Sequence, residues 1–228
     1  DNQVIDLALT TGFSAASQMI VGEIPKTITT PTFIIQTQRD YGFRFSNLSQ
    51  ALEDISVVYP VSMTRDLQRS AGDVDIVNAV LVSANINPFR EDIRTIVQNP
   101  IAIVNIYGNT STPLNLQLST PVRVIFQKNR AKRVITTYNS PQRCAYWNTA
   151  YNQWRTDGCY ISGTTTTSVE CACNKVAPIS YVLPGAVIGN MIFSRDGTGF
   201  YNIDYLFIQS LQFGVVSCTS LFSVTTLA

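Results

Sequence analysis

The chain has 228 residues, of which 45% are hydrophobic and only 14% are charged, against roughly 25% charged residues in ordinary soluble domains. Its 16 basic and 15 acidic residues nearly cancel, which argues against a nucleic-acid partner, because neutralising phosphates needs many lysines and arginines on one face. The chain contains no histidine, so the usual Ser-His, Cys-His and His-metal arrangements are excluded.

The first predicted elements along the chain are helical. Between residues 3 and 21, apolar side chains recur at roughly helical spacing, with Gly12 interrupting them. These side chains are Val4, Leu7, Met19 and Ile20. We therefore expect one or two short helices, ended by Gly22 and Pro25. Residues 1 to 12 have an acidic start and no basic flank, so we expect no signal peptide there.

Beyond residue 25 the predicted elements are mostly β-strands. Runs of β-branched and aromatic residues are separated by turn formers such as Gly42, Pro88 and Gly108. The runs span residues 32–37, 55–59, 76–83, 101–107, 114–118, 122–126 and 134–138. Many short strands at regular spacing are typical of a β sandwich. We therefore predict a mainly β fold with a short N-terminal helical segment.

The charged clusters of the chain have structural explanations. A basic cluster lies between two strand-like runs, at Lys128, Arg130, Lys132 and Arg133. A solvated hairpin turn explains this cluster better than a polyanion site. The acidic pairs at residues 53–54 and 91–92 are most simply solvated charges. The sequence therefore predicts neither an enzyme nor a bound cofactor.

Two N-glycosylation acceptor patterns occur, Asn47-Leu-Ser49 and Asn109-Thr-Ser111. We therefore expect N-linked glycans on Asn47 and Asn109. Such patterns, next to cysteines that can form disulfides, favour a secretory, oxidising compartment. The predicted location is extracellular or at the cell surface.

Residues 144 to 174 hold four of the five cysteines and both tryptophans. The four cysteines are Cys144, Cys159, Cys171 and Cys173. Cys171 and Cys173 are two residues apart, so on an extended strand both sulfurs project from one face and cannot readily bridge each other. Two pairings remain, and both tie the last strand to earlier ones. Zinc is the rival interpretation, but two Cys-x-x-Cys pairs and any histidine are lacking, so we predict disulfides and no metal.

This stretch resembles the GPS motif that closes the GAIN domain of adhesion receptors and polycystin-like membrane proteins. The motif runs Cys-x-x-Trp, Trp, Gly-Cys and Cys-x-Cys-Asn. The chain carries it as Cys144-Ala-Tyr-Trp147, Trp154, Gly158-Cys159 and Cys171-Ala-Cys173-Asn174. The resemblance implies the disulfides Cys144–Cys171 and Cys159–Cys173, and a disulfide-stapled β sandwich like GAIN subdomain B. We expect Trp147 and Trp154 to pack in the core and cover the two bridges, rather than stack on carbohydrate.

The resemblance ends where the family's chemistry takes place. Family members cut themselves when a histidine, as general base, helps a Thr or Ser hydroxyl attack the preceding carbonyl. Aligned on Cys173, this chain has Lys175 at the histidine position, Val176 at the leucine position and Ala177 at the nucleophile position. Alanine has no hydroxyl, and lysine, mostly protonated at neutral pH, is a poor base. Ser180 would need a different backbone geometry, so we predict an intact chain.

The predicted domain organisation has three parts. Residues 1–23 form the N-terminal helical segment. Residues 24–183 form the GAIN-like β sandwich, with the GPS-like cassette at 144–177. Residues 184–228 form a C-terminal hairpin and a terminal strand or tail.

The last segment of the chain decides between functions. Residues 205–228 carry no charge and are long enough to span a bilayer, yet Gln, Ser and Thr interrupt them and no basic residue marks a cytoplasmic end. Leu221, Ser223, Thr225 and Leu227 alternate with Phe222, Val224 and Thr226, a pattern better suited to a strand. A strand of this kind needs an edge to pair with, and insertion into the next subunit would build a filament. Cys218, the odd cysteine, either links subunits or is a buried free thiol.

Our leading interpretation is an extracellular, non-catalytic structural protein that self-associates through its terminal strand into a fibre or surface assembly. The first alternative is the membrane-proximal extracellular region of a polycystin-like receptor or channel subunit, in which residues 205–228 begin a membrane helix. The second alternative is a soluble adhesion module that binds glycans or another protein.

Overall fold

The computed structural model of the chain describes residues 2–46, 48–72, 74–85, 87–89, 95–97, 100–128, 142–184, 186–188 and 191–193. Helix α1 spans Asn2–Ser17 and helix α2 spans Met63–Ala71. A single turn of 3₁₀ helix lies at Gly42–Arg44. The strands are β1 Lys26–Thr29, β2 Phe33–Tyr41, β3 Ser49–Ala51, β4 Ile55–Val58, β5 Ile76–Ala84, β6 Thr95–Val97, β7 Ile101–Tyr107, β8 Gln117–Gln127, β9 Arg143–Asn148, β10 Gln153–Arg155, β11 Cys159–Thr164, β12 Ser168–Lys175, β13 Pro178–Pro184, β14 Ala186–Ile188 and β15 Met191–Phe193.

The strands form two antiparallel sheets, as the sequence predicts for a mainly β sandwich. The large sheet has the order β1-β2-β5-β7-β13-β9-β10, with β6 paired to β13, and the small sheet has the order β11-β12-β8-β4-β3. Strands β14 and β15 pair separately as a hairpin. The inner faces of the two sheets meet in one hydrophobic core, to which the cassette cysteines contribute.

The outer face of the large sheet is also covered. Strand β5 is therefore buried on both faces along almost its whole length, which explains its nearly continuous apolar sequence. Helix α1 packs on β2 and β5, and an aromatic cluster covers the face further along the sheet.

Helix α1 runs without a break through Gly12, where the sequence predicts an interruption. The buried face also differs from the predicted one, because Val4, Leu7 and Ile20 are exposed. The helix instead buries Ile5, Ala8, Gly12 and Ala16, and Leu9 and Phe13 pack against the same cluster of buried residues. A methyl group built on Gly12 would lie 2.5 Å from Cγ1 of Val80, so glycine is what lets the helix approach so closely. Among the four predicted residues, only Met19 is buried.

The segment from residue 114 to residue 126 also differs from the prediction of two strands. One long strand, β8, begins at Gln117 and passes through Pro121. Proline is tolerated there because the pairing of β8 with β12 shifts register at this point, and β4 pairs only further along, from Arg123. Leu114 lies before the strand, and its N–H donates to the Ile106 carbonyl at 2.7 Å.

Helix α2 was not predicted, because its sequence is polar and only Met63, Asp66 and Leu67 are buried. The Asp66 carboxylate holds it to the small sheet. One of its oxygens accepts hydrogen bonds of 3.0 Å from both the backbone N–H and the hydroxyl of Ser119 in β8. The Ser62 hydroxyl donates to the same oxygen at 3.0 Å. Arg69 lies 3.9 Å from the other oxygen.

The edge strands β3 and β1 differ in how their outer sides are covered. The outer edge of β3 is closed by the Gln36 side chain, whose carboxamide makes two hydrogen bonds of 2.9 Å with the backbone N–H and carbonyl of Ala51. Strand β1 is the edge strand on one side of the large sheet, and β10 is the edge strand on the other side. Among the described residues, none makes a backbone hydrogen bond to the outer side of β1.

Candidate functional site

The candidate site is the short connection by which the chain crosses from the small sheet to the large one. Strand β12 ends at Lys175 in the small sheet, and β13 begins at Pro178 in the large sheet. Val176 and Ala177 make the crossing, and both are partly buried against the inner core. The residues that align with the family's cleavage motif, Lys175, Val176 and Ala177, therefore lie at this connection.

Two disulfides flank the connection. Cys144 of β9 is bonded to Cys171 of β12, so this bridge joins the large sheet to the small one. Cys159 and Cys173 are direct partners in the β11–β12 ladder and are bonded to each other. This is the pairing that the resemblance implies. Cys171 and Cys173 face the same core, as expected for residues two apart on a strand.

The side chain at the base position is engaged in a polar chain. The Lys175 ammonium donates a hydrogen bond of 2.7 Å to the Tyr146 hydroxyl and lies 4.4 Å from the centre of the Tyr146 ring. The Tyr146 hydroxyl in turn donates to Asp157 at 3.1 Å. Arg155 donates to the other oxygen of Asp157 at 2.8 Å, and this bond, together with the one from Tyr146, lowers the pKa of the Asp157 carboxyl.

The two candidate positions for a nucleophile are Ala177 and Ser180. Ala177 carries a methyl group at the nucleophile position. Ser180 lies within β13, where it pairs with Ala145 of β9, and its hydroxyl donates to the Tyr181 carbonyl at 3.2 Å. That carbonyl is on the far side of Ser180 from the bond between Val176 and Ala177.

The tryptophans are buried, but they do not cover the disulfides, so this expectation is wrong. Trp147 and Trp154 are direct partners across β9 and β10 and belong to the outer face of the large sheet. Their rings, 5.7 Å apart, pack with the ring of Phe89. Cys144 faces the inner core. Cys144 and Trp147 are three positions apart, and an odd number of positions on a strand places two side chains on opposite faces.

The remaining predicted sites divide between described and undescribed residues. Asn109 is exposed in the connection after β7. Asn47, Cys218, the cluster residues Arg130, Lys132 and Arg133, and the whole segment 205–228 lie outside the described residues. In the described part of the chain, no group of His, Cys, Asp and Glu side chains is arranged to hold a metal ion. Within the same ranges, no helix has the length and apolar character needed to cross a membrane.

The sequence did not point to the roles of Tyr146, Arg155 and Asp157. A signal was present, because Tyr146 is two residues from Cys144 and must therefore share its face of β9. The other two residues could not be identified, because their position depends on the turn between β10 and β11.

Comparison with known proteins agrees with this architecture. The model of the GPS family, described as GAIN subdomain B, matches residues 26–180, which is more than half of the chain. The chain therefore belongs to the GAIN subdomain B family. Among solved structures, the full extracellular region of zebrafish Gpr126/Adgrg6 matches with a TM-score of 0.47 and 15% sequence identity, over 73% of this chain and 25% of that one. The chain thus spans about a quarter of that structure. No curated protein matches it.

Proposed function

We propose that the chain is an extracellular, non-catalytic structural module of the GAIN family that keeps its polypeptide intact and self-associates through residues 205–228. Membership of the family and two buried disulfides support an extracellular location, because such bridges persist in oxidising compartments. The family's role as a structural adhesion module supports a function without turnover.

The observation that carries the proposal is the methyl group of Ala177 at the crossing between the sheets. Self-cleavage needs a hydroxyl on the residue after the scissile bond, which attacks the preceding carbonyl and turns the amide into an ester. Ala177 cannot supply that oxygen. Lys175, whose side chain donates a hydrogen bond to the Tyr146 hydroxyl, is no substitute for the base.

An intact crossing has a mechanical consequence. The two strands that flank the crossing, β12 and β13, stay in one covalent chain and belong to different sheets, which Cys144–Cys171 also joins. A pull on residues beyond β13 is therefore passed to the whole sandwich through peptide bonds and a disulfide. A module of this kind suits a load-carrying assembly.

The acceptor that we propose for a neighbour's strand is the outer edge of β1. The Thr30 N–H donates to the Phe33 carbonyl at 2.8 Å, so alternation along the antiparallel pair directs the backbone groups of Thr27 and Thr29 away from β2. The uncharged sequence from Leu221 to Leu227 is suited to pair with such an edge.

Negative-stain electron microscopy of the purified chain tests the proposal. We expect open fibres from the wild type and none after deletion of residues 215–228. We also expect none from Thr27→Pro, which removes an N–H that the chain's own sheet does not use. Thr27→Ser keeps that N–H and is the matched control. A thermal midpoint close to that of the wild type shows that Thr27→Pro is folded.

The other outcomes separate the competing functions. Fibres that persist after the deletion contradict assembly through residues 205–228. If fibres form with Thr27→Pro but not after the deletion, the terminal segment is required for assembly, but β1 is not its acceptor. A wild type that needs detergent to stay in solution favours a membrane-proximal receptor region, and a monodisperse monomer favours a soluble adhesion module.

A further inference from the structure

The connection between β7 and β8 presents a short polar segment to solvent. Residues 109 to 113 are all exposed, in contrast to the buried end of β7. Three contacts to the backbone hold the base of the connection. The Asn78 side chain donates to the Gly108 carbonyl at 2.9 Å, the Leu114 N–H donates to Ile106, and Tyr107 forms a bridge with Pro113. The exposed tip therefore stands on a fixed base.

The tip contains the acceptor sequence Asn109-Thr110-Ser111. In the described part of the chain, no side chain or backbone group is hydrogen-bonded to the Asn109 carboxamide. By contrast, Asn78 has no hydroxyl residue two positions later and is buried in β5. An oligosaccharide-transferring enzyme requires an accessible asparagine that is followed, two residues later, by serine or threonine. Asn109 is exposed, and Ser111 is that second residue.

We infer that Asn109 is an N-glycosylation site. The donor is an oligosaccharide linked to a lipid through a diphosphate. The Asn109 carboxamide nitrogen forms a bond to the anomeric carbon of the first sugar, the bond from that carbon to the diphosphate oxygen breaks, and the lipid diphosphate leaves with the electron pair. The carboxamide loses one proton.

The second acceptor sequence has a different setting. After Asn47, Leu48 packs against the inner core, and Ser49 lies in β3, where it pairs with Val58. The hydroxyl residue of that sequence is part of a sheet, whereas Ser111 is in a connection between strands, and both side chains are exposed. Asn47 itself lies outside the described residues, so the surroundings of Asn109 alone support the inference.

A glycan on Asn109 would cover one end of the sandwich. A methyl group built on Gly108 would lie 3.5 Å from Val74, which lies two residues before the start of β5. The 3₁₀ turn adjoins the same end, because the Gly42 N–H donates to the Asp75 carbonyl at 2.9 Å. This inference shares with the proposed function only the secretory location, and it does not depend on self-association.

Peptide mapping of the chain secreted from eukaryotic cells tests the site. After treatment with peptide N-glycosidase, we expect the peptide that bears residue 109 to carry aspartate there, in the wild type and in Thr110→Ala. Thr110→Ala changes only the middle position and preserves the acceptor. Ser111→Ala removes the acceptor hydroxyl, and its peptide should keep unmodified asparagine.

Two results would overturn the inference. One is unmodified Asn109 in the secreted wild type, and the other is a glycan that remains on residue 109 in Ser111→Ala. Because the wild type and Thr110→Ala are mapped site by site, a secretion failure of Ser111→Ala leaves the first criterion in force. Assembly defects do not affect the mapped peptides, so this result is independent of the microscopy.

Discussion

Lys175 donates a hydrogen bond of 2.7 Å to the hydroxyl of Tyr146, a residue of the opposite sheet. The contact ties the end of β12 to β9 beside the crossing at Val176–Ala177. In the family motif, the position of Lys175 belongs to the general base. Here that position holds a hydrogen-bond donor that links the two sheets.

Gly12→Ala should destabilise the protein, against the usual effect of this change in a helix. Replacing glycine by alanine normally stabilises a helix interior by about 0.5–1 kcal/mol. Here the new methyl group would lie 2.5 Å from Val80, and overpacking of this kind costs about 1–3 kcal/mol. Urea denaturation measures the difference. Ser14→Ala, at an exposed position of the same helix, is the control and should be neutral or slightly stabilising.

Removing the bridge between the sheets should cost more than removing the bridge within the small sheet. Each disulfide contributes about 2–4 kcal/mol. Cys144–Cys171 spans 27 residues and joins elements that share no ladder, whereas Cys159–Cys173 spans 14 residues between strands that are already paired. Urea denaturation of the two double-alanine variants measures both losses. Equal losses, or the opposite order, would contradict this distinction.

Trp147→Ala should lower the free energy of unfolding by about 3–5 kcal/mol. The reason is that Trp147 is only 5% exposed and stacks on Phe89 at 4.8 Å. Tyr151→Ala, at a side chain that is 68% exposed, should change stability by less than about 0.5 kcal/mol. A stable Trp147→Ala variant that has lost binding to an immobilised glycan would instead favour a carbohydrate-stacking role.

Asp66 should make the fold sensitive to acid. Burial alone would raise the pKa of Asp66, but the hydrogen bonds from Ser119 and Ser62 and the charge of Arg69 hold it below the ordinary value. Because the folded-state pKa is the lower one, this contribution to stability is present above the ordinary aspartate pKa of ~3.9 and is lost as pH falls through the folded-state value.

The test is the free energy of unfolding as a function of pH for Asp66→Asn. We expect a loss of about 2–3 kcal/mol at neutral pH and a shallower fall in stability in acid. Asp157→Asn is the control, because the pKa of Asp157 is also lowered but its side chain is 56% exposed, where such bonds contribute little. If the free energy of unfolding falls with pH in the same way in the wild type and in Asp66→Asn, Asp66 is not the source of the acid sensitivity.

The parts of the fold that the sequence predicts are those with a strong local signal. The spacing of the cysteines identifies the cassette, and long apolar runs, such as residues 76–83, identify the central strands. The buried face of α1 differs from the predicted one although Ile5, Leu9 and Phe13 mark it at helical spacing. The other residues of that face, Ala8, Gly12 and Ala16, are small, and the equally apolar Val4 and Leu7 lie on the exposed side. Helix α2 was missed because its main anchor is a buried charge, Asp66, rather than an apolar stripe.

The most direct test is the intact mass of the secreted chain, measured after glycan removal under reducing and denaturing conditions. We predict a single species with the mass of the uncut polypeptide, for the wild type and also for Lys175→His, because restoring the base does not supply the hydroxyl missing from Ala177. Two fragments that meet between Val176 and Ala177 would contradict the proposal that this GAIN domain keeps its chain intact.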